Sequence, residues 1–209
     1  MQKNEKIAAG IITIVYIVGI VGILLPIHPE FILLTPLNLA FSLYILLSFH
    51  RKWDVGFYLF AAVCMLVGFF IEVAGVKTGV IFGEYSYGQT LGPKWLDVPL
   101  MMAVNWLTLV YCTGVIGHFL TKANNVIKAA IGATLMVLLD LLIEPVAISY
   151  DFWQWAGGNI PLQNYFAWWA ISFILLMVYY RFVRKQYNWL APVIYVNQVT
   201  FFAFLNVFG

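Results

Sequence analysis

LMVLLDLLIEPVAI, residues 135–148, places two carboxylates, Asp140 and Glu144, inside an apolar run of membrane length. An ionisable group at bilayer depth costs about 2.5–3.5 kcal/mol on insertion scales, so it marks a function by default. At spacing i, i+4 both side chains leave one face of a helix. Two like charges that close in a low dielectric resist ionising together, so one is expected to keep its proton near neutral pH. A carboxylic acid kept protonated in an apolar site is a general acid suited to an apolar substrate.

The rest of the chain agrees with that setting. Of 209 residues 63% are apolar, 18% aromatic and only 10% charged, with a mean hydropathy of +0.91. A soluble domain is about 25% charged, so the reading is an all-α integral membrane protein. Lys3 and Lys6 precede an apolar run, Ile7 to Leu25, that is too long for a signal-peptide core and lacks a small-residue cleavage site. The net charge of +2 says little about partners, and no basic run suggests nucleic acid. Cys64 and Cys112 fall inside apolar segments and read as buried thiols rather than a disulfide or metal pair.

A span needs about 20 apolar residues. Seven are predicted, at 7–25, 31–49, 54–75, 99–120, 126–147, 165–183 and 189–207; Pro36 and Asn38 interrupt the second. With the N-terminus in the cytoplasm, the inner segments hold Lys3, Lys6, Arg51, Lys52, Lys122, Lys128, Arg181, Arg184 and Lys185. The outer loops hold Lys77 and Lys94, so the positive-inside rule places the N-terminus inside and the C-terminus outside. Glu30, Glu72, Glu84, Asp97, Asp140, Glu144 and Asp151 then fall in the outer half or its loops. The outer connections 76–98 and 149–164 are long and aromatic, and loops of that length are usually functional. No linker or repeat divides the chain, which reads as one domain, residues 1–209.

On the fifth span Ala133, Val137, Asp140, Glu144 and Ala147 share a stripe of mostly small residues, the kind that faces other helices. Pro145 frees the carbonyl of Leu141, a break expected to line a cavity. Glu72 shares a similar stripe with Ala61, Met65, Gly68 and Gly75, so it too should point inward. The bland alternatives are an acid satisfied by a neighbouring Asn or Tyr, and, for Glu72, a solvated helix end. The outer connection 77–99 is rich in glycine and aromatics. Glu84, Tyr85, Tyr87, Asn105, Trp106, Trp153 and Asn164 are candidate substrate-binding groups, and Trp faces stabilise cations. Against this, such aromatics also form ordinary interfacial belts. Asn197 and Gln198 read as helix–helix hydrogen-bonding residues. The last span has no Lys for a retinal Schiff base. His28, His50 and His118 lie far apart, and no HExxH, CxxC or Walker-type loop occurs. No metal and no cofactor is expected; acid–base chemistry on an apolar substrate, or proton-coupled movement, remains.

Several stretches together resemble an integral-membrane carotenoid biosynthesis family that includes the CruF-type carotenoid 1,2-hydratases and the bisanhydrobacterioruberin hydratases. They are Thr78–Gly79, FGEYSY at 82–87, Leu91–Gly92, Val98–Pro99 with Trp106, DLLIEPVA at 140–147, and FWQW with IPLQNYFAWW within 152–169. The resemblance covers roughly residues 72–170. Members often carry Asp at the second acid, where this chain has Glu144. What it implies is addition of water to the terminal double bond of an acyclic carotenoid end, in a bacterial or archaeal cytoplasmic membrane. An unactivated trisubstituted alkene must be protonated to a tertiary cation, which needs a desolvated acid and a cation-stabilising wall. Asp140 is assigned as proton donor and Glu144 or Glu72 as water-orienting base, with donor and base exchangeable. Partners are therefore the carotenoid, water and the lipid bilayer. Rival readings are a carotenoid cyclase, which traps the same cation internally, and a proton-coupled transporter or carotenoid-binding protein.

Overall fold

The computed structural model describes residues 2–25, 28, 30–184 and 187–209; Lys185, one of the inner cations, lies outside the described residues. The apolar runs form helices α1 (Lys3–Leu24), α2 (Thr35–Ser48), α3 (Val55–Thr78), α4 (Met101–Leu120), α5 (Asn125–Ser149), α6 (Leu162–Phe182) and α7 (Leu190–Phe208). With a 3₁₀ turn at Phe31–Leu34 leading into α2, all seven spans are long and apolar enough to cross a membrane. Local chemistry sets several ends. Asp54 accepts from the Phe57 N–H and Asn124 from the Ile127 N–H, capping α3 and α5. Pro36 does not interrupt the second span, because it occupies the first turn of α2, where its missing N–H is an orphan anyway. The sequence ends the third span at 75, but α3 continues to Thr78 and is stopped by Gly79, whose φ of 66° closes a left-handed cap.

Helix α4 is the axis of the bundle. Every residue from Trp106 to Val115 is buried, and α2, α3, α5, α6 and α7 all pack on it. The stripe containing Glu72 does face inward, and its small residues permit a close crossing. A Cβ built on Gly68 would lie 2.5 Å from Trp106 Cβ and Cγ. Gly68→Ala is therefore expected to overpack the α3–α4 contact by about 1–3 kcal/mol. That is measurable as a lower midpoint of thermal unfolding in detergent; an unchanged midpoint would show that α3 and α4 can separate freely there.

Pro145 departs from the reading of a cavity-lining break. It is exposed on the outside of α5, and the helix runs through it from Asn125 to Ser149. The nearby Leu142 carbonyl accepts from Asn206 Nδ2 of α7 at 2.7 Å. Cys64 and Cys112 are free and buried.

The two long connections at one end of the bundle contain short strands that the sequence does not announce: β1 (Tyr85–Tyr87), β2 (Lys94–Trp95), β3 (Val98–Pro99) and β4 (Trp153–Trp155). β2 pairs with β3 locally. β1 pairs antiparallel with β4, Tyr85 opposite Trp155 and Tyr87 opposite Trp153, joining the α3–α4 connection to the α5–α6 connection. Side chains alternate across a strand. Ser86 and Gln154 accordingly point outward and are exposed, while the Tyr and Trp pairs turn to the bundle.

Candidate active site

Under that ribbon, α3 and α5 present their carboxylates to the aromatic side chains it carries. Glu72 is 2% exposed, and Asp140 and Glu144 are each 1% exposed. Glu72 Oε2 accepts from the hydroxyls of Tyr85 at 2.6 Å and Tyr87 at 2.8 Å. Its Oε1 accepts from Trp106 Nε1 at 3.0 Å. Burial, and next the negative charge of Glu72, push both tyrosines of β1 well above the ordinary tyrosine range. Each therefore remains an O–H donor at neutral pH.

Glu144 is held in a matching way by the other strand. Its Oε2 accepts from Trp153 Nε1 at 3.0 Å and Trp155 Nε1 at 2.8 Å. Its Oε1 accepts from Asn164 Nδ2 of α6 at 3.0 Å, and the same nitrogen donates to Asp140 Oδ2 at 2.9 Å. The i, i+4 pair thus shares one amide, as a common helix face requires. Asp140 Oδ1 is buried and accepts nothing among the described residues. The two glutamates have the surroundings of ions, each with three donors, whereas Asp140 has one donor and one bare oxygen.

These groups enclose a tight cavity of about 20 Å³. Glu72 and Glu144 line it with Tyr85, Tyr87, Trp153 and Asn164, and Phe82, Met102 and Trp168 supply an apolar floor. Trp168 stacks on Trp106, with ring centroids 4.6 Å apart and planes 20° from parallel. Chemically, the cavity offers carboxylates on two walls and π-faces between them. The three acids do not converge on a point that could hold a metal ion.

Of the residues singled out in the sequence, Glu72, Tyr85, Tyr87, Trp106, Asp140, Glu144, Trp153 and Asn164 come together here. Asp140 sits behind Asn164 and does not itself line the cavity. Glu84 is exposed and contributes its backbone carbonyl, which accepts from the Ala156 N–H at 2.9 Å. Asn105 lines a neighbouring apolar cavity instead. Trp155, Trp168, Phe82 and Met102 were missed. Trp155 was legible in principle, since a strand puts Trp153 and Trp155 on one face. Trp168 lies one turn beyond Asn164 on α6.

The chain matches the family of carotenoid biosynthesis proteins over residues 28–209. Among characterised proteins it is similar to the bisanhydrobacterioruberin hydratase of Haloarcula japonica, with 33% identity over 112 residues. That match covers 49% of this chain and 38% of the length of the relative. No solved structure matches. The family match takes in every helix from α2 to α7 and the three carboxylates of this site, and this chain is a member of the carotenoid biosynthesis protein family.

Proposed function

We propose that the protein adds water to the terminal trisubstituted double bond of an acyclic carotenoid, giving a tertiary alcohol. The observation that carries this reading is the small apolar cavity with buried carboxylates on opposing walls, each held by aromatic N–H or O–H donors. Such an alkene has no lone pair or leaving group. It reacts when a desolvated acid gives a proton to the less substituted carbon, leaving a tertiary cation on the other. The Asp140–Glu144 pair is the proton source: Asp140, the acid with the bare oxygen, holds the proton at rest, and Glu144, ionised between turnovers, takes it over and delivers it at the cavity wall. Glu72 and the Trp168 and Tyr87 rings face the cation. A water held by Glu72 attacks the cation, and the proton it loses returns to the pair, so no proton is consumed overall. The name of the Haloarcula japonica relative supports hydration over cyclisation. The chain's cation-rich helix ends lie away from this site, which favours an outer-half site in a cytoplasmic membrane.

The test is co-expression in a bacterial host that accumulates lycopene, with extracts read by mass spectrometry. A pigment heavier by one water is expected, and its yield should collapse in Asp140→Asn. An isomer of unchanged mass with a shortened chromophore would mean cyclisation. No new pigment despite folded protein in the membrane would remove this substrate class.

A further inference from the structure

The cavity at the carboxylates adjoins a larger one. A narrow space of about 40 Å³ shares Met102, Trp153 and Trp168 with it and continues between Leu39 of α2, Asn105 of α4 and Gln198 of α7. Thr35 also lines a third, wider space of about 370 Å³ between α1, α2 and α7. That space is bounded by Val18, Leu34 and Leu37, all exposed on the apolar outer surface of the bundle.

One polar group marks this route as more than loose packing. Asn197, expected to bond between helices, does so with Thr13 of α1 at 3.1 Å. Gln198 likewise bonds across helices, to Tyr16 of α1, but it is 3% exposed, lines the middle space, and its Oε1 accepts nothing among the described residues. A bare amide oxygen at membrane depth is costly where helices simply pack, and is understandable where a ligand shares the space.

We propose that the three adjoining spaces form one channel for the polyene of an acyclic carotenoid. The chain enters from the lipid between α1 and α2, lies across α7 past Gln198, and delivers its end past Trp168 to Glu144 and Glu72. This rests on the reading of the site as acting on a carotenoid end, and adds where the rest of that molecule lies. Lipid entry suits a substrate dissolved in the bilayer, and a narrow blind end suits an acyclic terminus better than a ring.

Pigment retention tests the channel separately from turnover. Glu144→Gln protein, purified in detergent from a lycopene-accumulating host, is expected to carry bound pigment, measured as visible absorbance per protein. Adding Leu39→Trp, which fills the middle space, should lower that pigment at least tenfold. Adding Leu43→Trp, one turn along α2 in a separate groove with Tyr44 and Trp53, should leave it unchanged. Monodisperse elution establishes folding in each case; should Leu39→Trp not accumulate, Leu39→Phe takes its place with the same expected ordering. Equal pigment in the Leu39 and Leu43 variants would overturn the channel, as would Glu144→Gln protein free of pigment. Failure of the hydration reading is distinct: the unmodified protein would yield no water adduct while the Glu144→Gln protein still held pigment lost in Leu39→Trp.

Discussion

Glu144→Gln is expected to lower formation of the water adduct by about 10²–10⁴-fold, the range carried by a positioned acid or base, while the protein stays folded. The fold should survive because the neighbourhood can adapt. The Gln carbonyl can take the place of Oε2 and accept from Trp153 and Trp155. Its NH₂ then meets Asn164, whose amide turns over to present its oxygen. The remaining mismatch falls on Asp140 Oδ2, which must then supply a proton to that oxygen. Conversion in membranes containing an acyclic carotenoid, normalised to protein amount, is the measurement. Activity within a few-fold of the unmodified protein would take Glu144 out of the chemistry.

At Glu72 the result should depend on what replaces it. Glu72→Ala removes the acceptor of three buried donors at once, Tyr85, Tyr87 and Trp106. Breaking a buried charged network by removing one partner costs about 3–5 kcal/mol, so the variant should accumulate poorly and unfold early in detergent. Glu72→Gln leaves an oxygen for Trp106 and an NH₂ for two hydroxyls that can rotate to accept, so it should accumulate normally. Its turnover should nonetheless fall by about 10²–10⁴-fold, because the water-holding carboxylate is gone. Accumulation by quantitative blotting and conversion by mass spectrometry separate the two effects. Full activity in Glu72→Gln would reduce Glu72 to a structural anchor for the ribbon.

The helices were legible because membrane-length apolar runs are a strong one-dimensional signal, and the inward face of Glu72 followed from the small residues on its stripe. The pairing of Asp140 with Glu144 followed from helical spacing alone. What holds those acids was harder to see. Asn164 and Trp106 stand 20 and 34 residues from the carboxylates they serve, a distance over which periodicity says nothing. Strands of three residues such as YSY and WQW leave too short a pattern to register as strands, so nothing in the sequence separates Trp155 from the other aromatics of its connection. Pro145 misled because the residue before it is buried while it is not: adjacent helical positions point about 100° apart. Gln198 bonds to Tyr16 of α1 as its residue type suggests, but nothing in the sequence shows that its carbonyl oxygen is left bare.

The β1–β4 pairing has a consequence for how the protein is made. Its register fixes Tyr85 and Tyr87 over one glutamate and Trp153 and Trp155 over the other. A slip of one residue in either strand would turn that strand's two rings outward and offer Ser86 or Gln154 in their place. The carboxylate beneath would keep only its helix-borne donor, Trp106 for Glu72 or Asn164 for Glu144. Pairing of the two connections in this one register is therefore the condition for solvating both acids at once.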